Sequence, residues 1–297
     1  MIKTIFILLT GIISLSFASI FIKLCSDVPA IMIAAYRLGV ASVILFIIFK
    51  LKGHSLKEVP KKDLLFSLVG GLFLAFHFIA WITSLKYTSV ASSVVLVTTN
   101  PIFVGLFSYF LFKEKQEIEL VIGIVLCLLG SIMIVSGDSG IHELTLYNKK
   151  VMAGDVLALI GAIMASGYLI VGSKVREKLD ILPYVTVVFT SSAIFLLVIS
   201  VVMKIPFTGY RSTSYLYMVL LALIPQLIGH TSINWALKNL KTSLIAISIL
   251  GEPVGATILA YIFFKESVGP LQFIGMSLIF AAIITASRKG KKLKIPA

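Results

Sequence analysis

The chain has 297 residues, of which 59% are hydrophobic and only 13% charged, with a mean hydropathy of +1.06. A soluble domain carries roughly 25% charged residues, so most of this chain is expected to lie in lipid. Its net charge of +13 does not point to nucleic acid, because the basic residues are spread over short loops and a C-terminal tail, with no basic domain to hold a duplex.

Apolar runs of about 20 residues, the length of a helical bilayer crossing, recur along the whole chain. They predict an all-α integral membrane protein with ten transmembrane helices at 4–24, 30–49, 64–86, 89–112, 118–136, 154–174, 183–203, 213–237, 242–264 and 270–287. The first run follows Lys3 but is longer than a signal-peptide core and has no clear small-residue cleavage site after it, so it reads as span 1. The longest loop, 137–153, contains Gly137, Asp138, Gly140 and Asn148 and joins two halves. It is too small for a catalytic domain. Cys25 and Cys127 fall in or near different spans without a pairing or metal motif, and read as small apolar packers. No metal and no cofactor is expected.

With the N-terminus in the cytoplasm, 18 Lys and Arg residues fall on the cytoplasmic side and 8 on the other. The positive-inside rule favours that arrangement, with the chain integral to the cytoplasmic membrane and both termini in the cytoplasm. The tail from Arg288 to Lys294 reads as an orientation signal able to touch anionic lipid.

The halves repeat. At a shift of 152 residues Lys86 meets Lys238, Pro101 meets Pro253, Tyr109 meets Tyr261, Phe112-Lys113-Glu114 meets Phe264-Lys265-Glu266, and Gly123 meets Gly275. Five spans per half is an odd number, so the second half must enter the membrane upside down. The expected organisation is two inverted repeats, residues 1–145 and 150–297. Inverted repeats with interrupted helices mark secondary transporters, with the site near the midplane.

Ten spans in two five-helix halves, the Tyr36-Arg37 pair opening span 2, and the Pro…Phe-Lys-Glu…Gly pattern in each half together resemble an EamA-type member of the drug/metabolite transporter superfamily. The resemblance covers nearly the whole chain. It implies a central cavity lined by spans 1, 3 and 4 and their counterparts 6, 8 and 9. It implies transport, often export, of small metabolites such as amino acids, and leaves the substrate open.

Polar residues inside spans are the candidates for that chemistry. In span 8, Gln226, His230 and Asn234 recur every four residues on one helix face, beside Pro225. They read as a hydrogen-bonding wall of a substrate path, or as polar glue between helices. In span 3, His77 and Trp81 are likewise four apart. Either histidine is a candidate proton carrier or a neutral ring bonded to a carbonyl. Tyr168 in span 6 offers a ring and a hydroxyl, whereas Trp235 reads as part of the interfacial belt.

The prolines Pro101, Pro225 and Pro253 read as hinges. Pro101 frees the carbonyl of Val97, which Thr98 and Thr99 are placed to compensate. Asn100 precedes Pro101 where Glu252 precedes Pro253. Glu252 has three readings: a proton-coupling site, an attractor for a substrate ammonium, or a structural partner of Arg37, the other charge placed well inside a span. The partners expected are a small-molecule substrate, membrane lipid and, if Glu252 or a histidine titrates, protons. Oligomeric state is not legible. A passive facilitator or channel and an intramembrane enzyme are the competing classes. The chain lacks an HExxH motif and obvious paired aspartates, so no enzymatic activity is expected.

Overall fold

A computed structural model describes residues 2–88, 90–113, 118–139, 149–264 and 269–287. The helices are α1 (Ile2–Leu24), α2 (Ala30–Leu51), α3 (Lys61–Ser84), α4 (Val90–Val97), α5 (Asn100–Phe112), α6 (Ile118–Ser139), α7 (Lys149–Val175), α8 (Ile181–Val202), α9 (Ser212–Leu221), α10 (Thr231–Ala236), α11 (Thr242–Ile249), α12 (Gly251–Phe264) and α13 (Pro270–Ser287). A π-helical stretch, Ala222–His230, joins α9 to α10.

Among the described residues, eight helical stretches are long and apolar enough to cross a membrane, and they fall on predicted spans 1–4 and 6–9. They hold 19 to 27 residues, about 28–40 Å at ~1.5 Å per residue. Predicted spans 5 and 10 fall in α6 and α13, which pack along each other. Several helices outrun the apolar runs that predicted them. The helix α3 begins at Lys61 and α7 at Lys149, because a helix continues through the headgroup layer while Lys side chains reach water. Of the predicted central loop, residues 137–139 and 149–153 are therefore helical. Gly140 and Asn148 lie outside the described residues, as do Glu114, Lys265, Glu266 and the basic tail.

Three crossings are irregular, each at a proline. Pro101 lies in the first turn of α5 and Pro253 in the first turn of α12, and spans 4 and 9 are each split into two helices at matching positions. Before Pro101, the hydroxyl of Thr98 donates to the carbonyls of Val94 and Val95, and that of Thr99 to Leu96. They tie down the end of α4 but do not reach the carbonyl of Val97. Pro225 acts differently. It sits inside the π-helix, whose wider turn tolerates a missing N–H donor.

Large apolar side chains such as Val43, Ile47, Val198, Val201 and Phe273 are exposed, which suits a lipid solvent rather than water. The main core lies between the halves. There α1 packs on α9, the π-helix, α10 and α12; α7 packs on α3, α4 and α5; α2 on α8; α3 on α8; and α2 on α9 and the π-helix. Close approach of α3 to α8 is set by Gly71. A Cβ there would stand 2.7 Å from the backbone oxygen of Val188.

Candidate functional site

Helices from both halves line a cavity of about 50 Å³. Its polar wall comes from Arg37 on α2, His77 and Trp81 on α3, Thr98 and Asn100 at the α4–α5 break, Tyr168 on α7, His230 in the π-helix and Glu252 at the α11–α12 break. Leu15 and Ala18 on α1, with Val97, Leu169, Ile233 and Ile249, supply the apolar part.

Arg37 is fully buried. Its Nε donates to Gln226 Oε1 at 2.8 Å, and its guanidinium carbon lies 4.1 Å from the centre of the Phe78 ring. These two contacts fix the plane of the guanidinium and combine a charged hydrogen bond with a cation–π contact. Both Nη nitrogens are buried without a hydrogen-bond partner among the described residues.

His77 Nδ1 lies 2.9 Å from the carbonyl oxygen of Gly161. A carbonyl only accepts, so Nδ1 carries a hydrogen and Nε2 is left for another partner. The ring stacks on Trp81, with centroids 5.9 Å apart and planes 17° from parallel. Trp81 Nε1, Asn100 Oδ1 and His230 Nδ1 are also buried without partners among the described residues. The Phe78 ring meets His230 edge-on at 5.4 Å.

The span 8 triad divides its labour. His230 lines the cavity, whereas Gln226 and Asn234 stand behind it. Gln226 holds Arg37, and Asn234 Nδ2 donates to the hydroxyl of Tyr168 and to the carbonyl of His230. Trp235 is half-buried and does not line the cavity. Glu252 and Arg37 share the cavity wall, yet no salt bridge joins them. Among the described residues the Glu252 carboxylate makes no hydrogen bond or ion pair; it acts on Arg37 only at longer range. Among the described residues no three His, Cys, Asp or Glu side chains gather in a way that would hold a metal ion.

Two serines stabilise the helix breaks in the same manner. Ser16 Oγ shares its hydroxyl proton between the carbonyl of Ile12 at 2.9 Å and that of Glu252 at 3.4 Å, and Ser166 Oγ between Ala162 at 2.7 Å and Asn100 at 3.1 Å. These are the carbonyls immediately before Pro253 and Pro101. The serines' spacing of 150, rather than 152, hides their equivalence in the sequence. Phe78 was not legible at all, since one more apolar residue in a span carries no signal.

Polar contacts also close both ends of the bundle. At the C-terminal end of α1, Asp27 accepts from the backbone N–H of Arg211 at 2.9 Å, from Arg211 Nη2 at 3.0 Å and from Ser214 Oγ at 2.6 Å. Led by the Ser214 hydroxyl and then by Arg211, these donors hold its carboxyl well below the usual carboxylate range. Lys86 donates to the carbonyl of Val28 beside it. At the opposite end of α3 and α7's partner helices, Lys238 pairs with Asp180 at 3.2 Å and Arg176 Nε donates to the carbonyl of Asn234 at 3.1 Å.

The chain is similar to the Bacillus subtilis uncharacterized transporter YxxF, 24% identical over 80% of this chain and 75% of that protein. It is 23% identical to the B. subtilis uncharacterized transporter YetK, over 89% and 80% of the two chains. The mouse solute carrier family 35 member G1 is 26% identical over 84% of this chain and 69% of its own. A solved crystal structure superposes with a TM-score of 0.79, covering 96% of both chains at 18% identity, which is a likeness of fold. The model of the EamA-like transporter family matches residues 2–136 and again 152–288, nearly the whole length, and the chain belongs to that family.

Proposed function

We propose that the protein is a secondary transporter that carries a small polar metabolite across the cytoplasmic membrane by alternating access. Ten spans form two inverted five-helix repeats, residues 1–145 and 150–297, with both termini in the cytoplasm. The observation that carries this reading is the small polar cavity flanked by two proline-broken helices, one from each half.

Several features support the inverted repeat. If spans 1–5 are exchanged with spans 6–10, most pairings between the halves turn into others that are present. Span 1 on span 8 becomes span 6 on span 3; span 1 on span 9 becomes span 6 on span 4; span 3 on span 7 becomes span 8 on span 2. Spans 2 and 7, and spans 5 and 10, pack on each other. Gly11 and Gly161 stand 150 positions apart, like Ser16 and Ser166, and each glycine lies at a crossing with the other half. The carbonyl of Gly161 meets His77; a Cβ on Gly229, 152 positions after His77, would stand 3.4 Å from the carbonyl of Gly11. The family model's matching twice supports the same division.

The cavity of about 50 Å³ has room for a few waters at ~10–15 Å³ each. Small-molecule sites usually offer ~300 Å³ or more. A metabolite therefore requires the halves to separate, which at one end breaks the Asp27–Arg211 contact between them. The broken helices at Pro101 and Pro253, and the π-turn at Pro225, absorb that bending. Export is the direction that the family resemblance favours.

Purified protein in liposomes tests the reading. Preloaded unlabelled metabolite should drive uptake of the same labelled metabolite by counterflow, saturably and without measurable single-channel current. Solute flux that shows no counterflow, or picoampere currents, would instead assign a pore.

A further inference from the structure

We infer that the groove between α2 and α8 binds an anionic phospholipid, with one acyl chain lying along α2 and the phosphate meeting Lys204. The site is separate from the central cavity and holds lipid rather than cargo. The groove has a volume of about 370 Å³ and is lined by Met32, Tyr36, Gly39 and Val43 of α2, Leu197 of α8 and Phe207 of the loop after α8. That is within the range of small-molecule sites, ~300–1,000 Å³. It follows α2 from Met32 to Ile44, about 18 Å at ~1.5 Å per residue. One leaflet, half of a hydrocarbon core of ~30 Å, has nearly that depth. The only polar side chain in the lining is Tyr36, and its hydroxyl already donates to the carbonyl of Phe207 at 2.9 Å. A polar solute would find no free partner here, whereas an acyl chain needs none.

Gly39 makes the hollow. A small residue in a membrane helix usually lets a neighbouring helix approach, and glycine inside a helix costs stability relative to alanine. Yet a Cβ at Gly39 would meet nothing within 4 Å, so no helix uses the room it leaves. Aromatic and basic groups gather at the open end. Tyr36 meets Tyr215 edge-on at 5.7 Å, and Tyr215 lies 6.0 Å from Tyr210; such tyrosines sit at the headgroup level. Lys204 is exposed and stands seven residues beyond Leu197, about 10 Å farther toward the same interface. Its φ of 53° is left-handed, a conformation in which glycine is the usual residue just past a helix; this chain has a lysine there. The ammonium makes no salt bridge among the described residues. A cation above an apolar groove one leaflet deep matches a phosphate joined to an acyl chain. On the topology proposed above, the leaflet is the outer one.

The experiment uses wild-type protein in phosphatidylcholine vesicles with a trace of phosphatidylglycerol that carries a diazirine in its acyl chain. After irradiation the labelled peptides are mapped. Residues 32–44 should be labelled at least fivefold more than the lipid-facing surface of α13 around Phe273. Unlabelled phosphatidylglycerol should compete about fivefold better than phosphatidylcholine, roughly what one lysine near an anionic headgroup contributes. Glycerol phosphate, the headgroup without chains, should not compete. Lys204→Gln should erase the headgroup preference while an equivalent phosphatidylcholine probe labels as before. Gly39→Phe fills the groove and should cut labelling of 32–44 by both probes fivefold or more, whereas Leu68→Trp, in a separate groove between α3 and α8, should not. The wild-type map and competition decide alone if a variant fails to fold. Even labelling around the bundle, or competition by glycerol phosphate, overturns the site. Equal competition by the two lipids, or a preference that survives Lys204→Gln, overturns the phosphate's place at Lys204. Dimers that Gly39→Phe splits, with 32–44 unlabelled, would give the groove to a second copy of the chain and overturn lipid as its occupant. None of these readouts involves transport, so they stand or fall apart from it.

Discussion

The contact between Gln226 and Arg37 gives a stability prediction whose sign depends on Arg37 being a buried charge. Both residues are fully buried and joined by a 2.8 Å hydrogen bond. A hydrogen bond to a charged group contributes about 1.5–3 kcal/mol, so Gln226→Leu removes that much. It also removes Gln226 Nε2, which has no partner among the described residues and costs about 1 kcal/mol. The net loss is about 0.5–2 kcal/mol, or roughly 1–8 °C in melting temperature at ~2–4 °C per kcal/mol. Arg37→Met in the Gln226→Leu background should then restore stability to the wild-type level or above, because an uncompensated buried charge is replaced by an apolar chain. Thermal unfolding in detergent of the wild type, both single variants and the double variant reads the coupling. If the losses simply add, within ~0.5 kcal/mol, Gln226 does not hold a charged Arg37 and the reasoning fails.

Three further predictions follow from the same geometry. Gly71→Ala should destabilise by about 1–3 kcal/mol through overpacking, since its Cβ would meet the backbone oxygen of Val188 at 2.7 Å, whereas Gly39→Ala, with nothing within 4 Å, should be neutral or slightly stabilising; melting curves of the two compare them directly. The depressed Asp27 carboxyl gives a pH sign: its contribution is complete above the unfolded value of ~3.9 and is lost only as pH falls through the lower folded value. Asp27→Asn should therefore leave the shape of the transport pH profile between pH 5 and 8 unchanged, while making a cysteine placed near the α1 end of the cavity react faster with an impermeant thiol reagent. Pro253→Ala returns an N–H donor to the α11–α12 break; counterflow should slow severalfold while substrate still protects against thermal unfolding, and a variant as fast as wild type would remove Pro253 from the moving parts.

The spans were legible because a bilayer imposes a length and a polarity on every helix that crosses it. Their ends were less so: Lys61 and Lys149 lie in the headgroup layer, where hydropathy no longer tracks the helix. The breaks at Pro101 and Pro253 followed from the missing N–H. The π-helix around Pro225 did not, because the same residue can be met by a kink, a break or a wider turn, and neighbouring helices decide which. The site was half legible for a related reason. Spacing by four identifies which side chains share a face, but says nothing of what stands opposite. Gln226, His230 and Asn234 share a face and find three different neighbours: Arg37, the cavity and Tyr168.

The two halves keep the same backbone device and differ in the side chain it presents. In each, a serine on the opposing half donates to the carbonyl just before the proline, at Glu252 and at Asn100. That contact uses only the backbone of the break, so it holds the loop without specifying its side chain. The side chain is then free to change: an acid in one half, an amide in the other, both facing the cavity. Arg37 breaks the symmetry in the same sense. Its counterpart 152 positions on is Phe189, a fully buried apolar residue that does not line the cavity. One cation and one acid therefore face a cavity built from two matching frames. On the transport reading proposed above, a symmetric frame would let the halves rock between equivalent shapes, while the unlike residues at the two breaks would set how the cargo sits. Exchanging Asn100 and Glu252 (Asn100→Glu with Glu252→Asn) separates these roles: folding should persist, and metabolite counterflow should fall at least tenfold, because the acid then approaches the guanidinium from the other break. Wild-type transport by that exchanged protein would mean that position does not matter and that the asymmetry has no part in recognition.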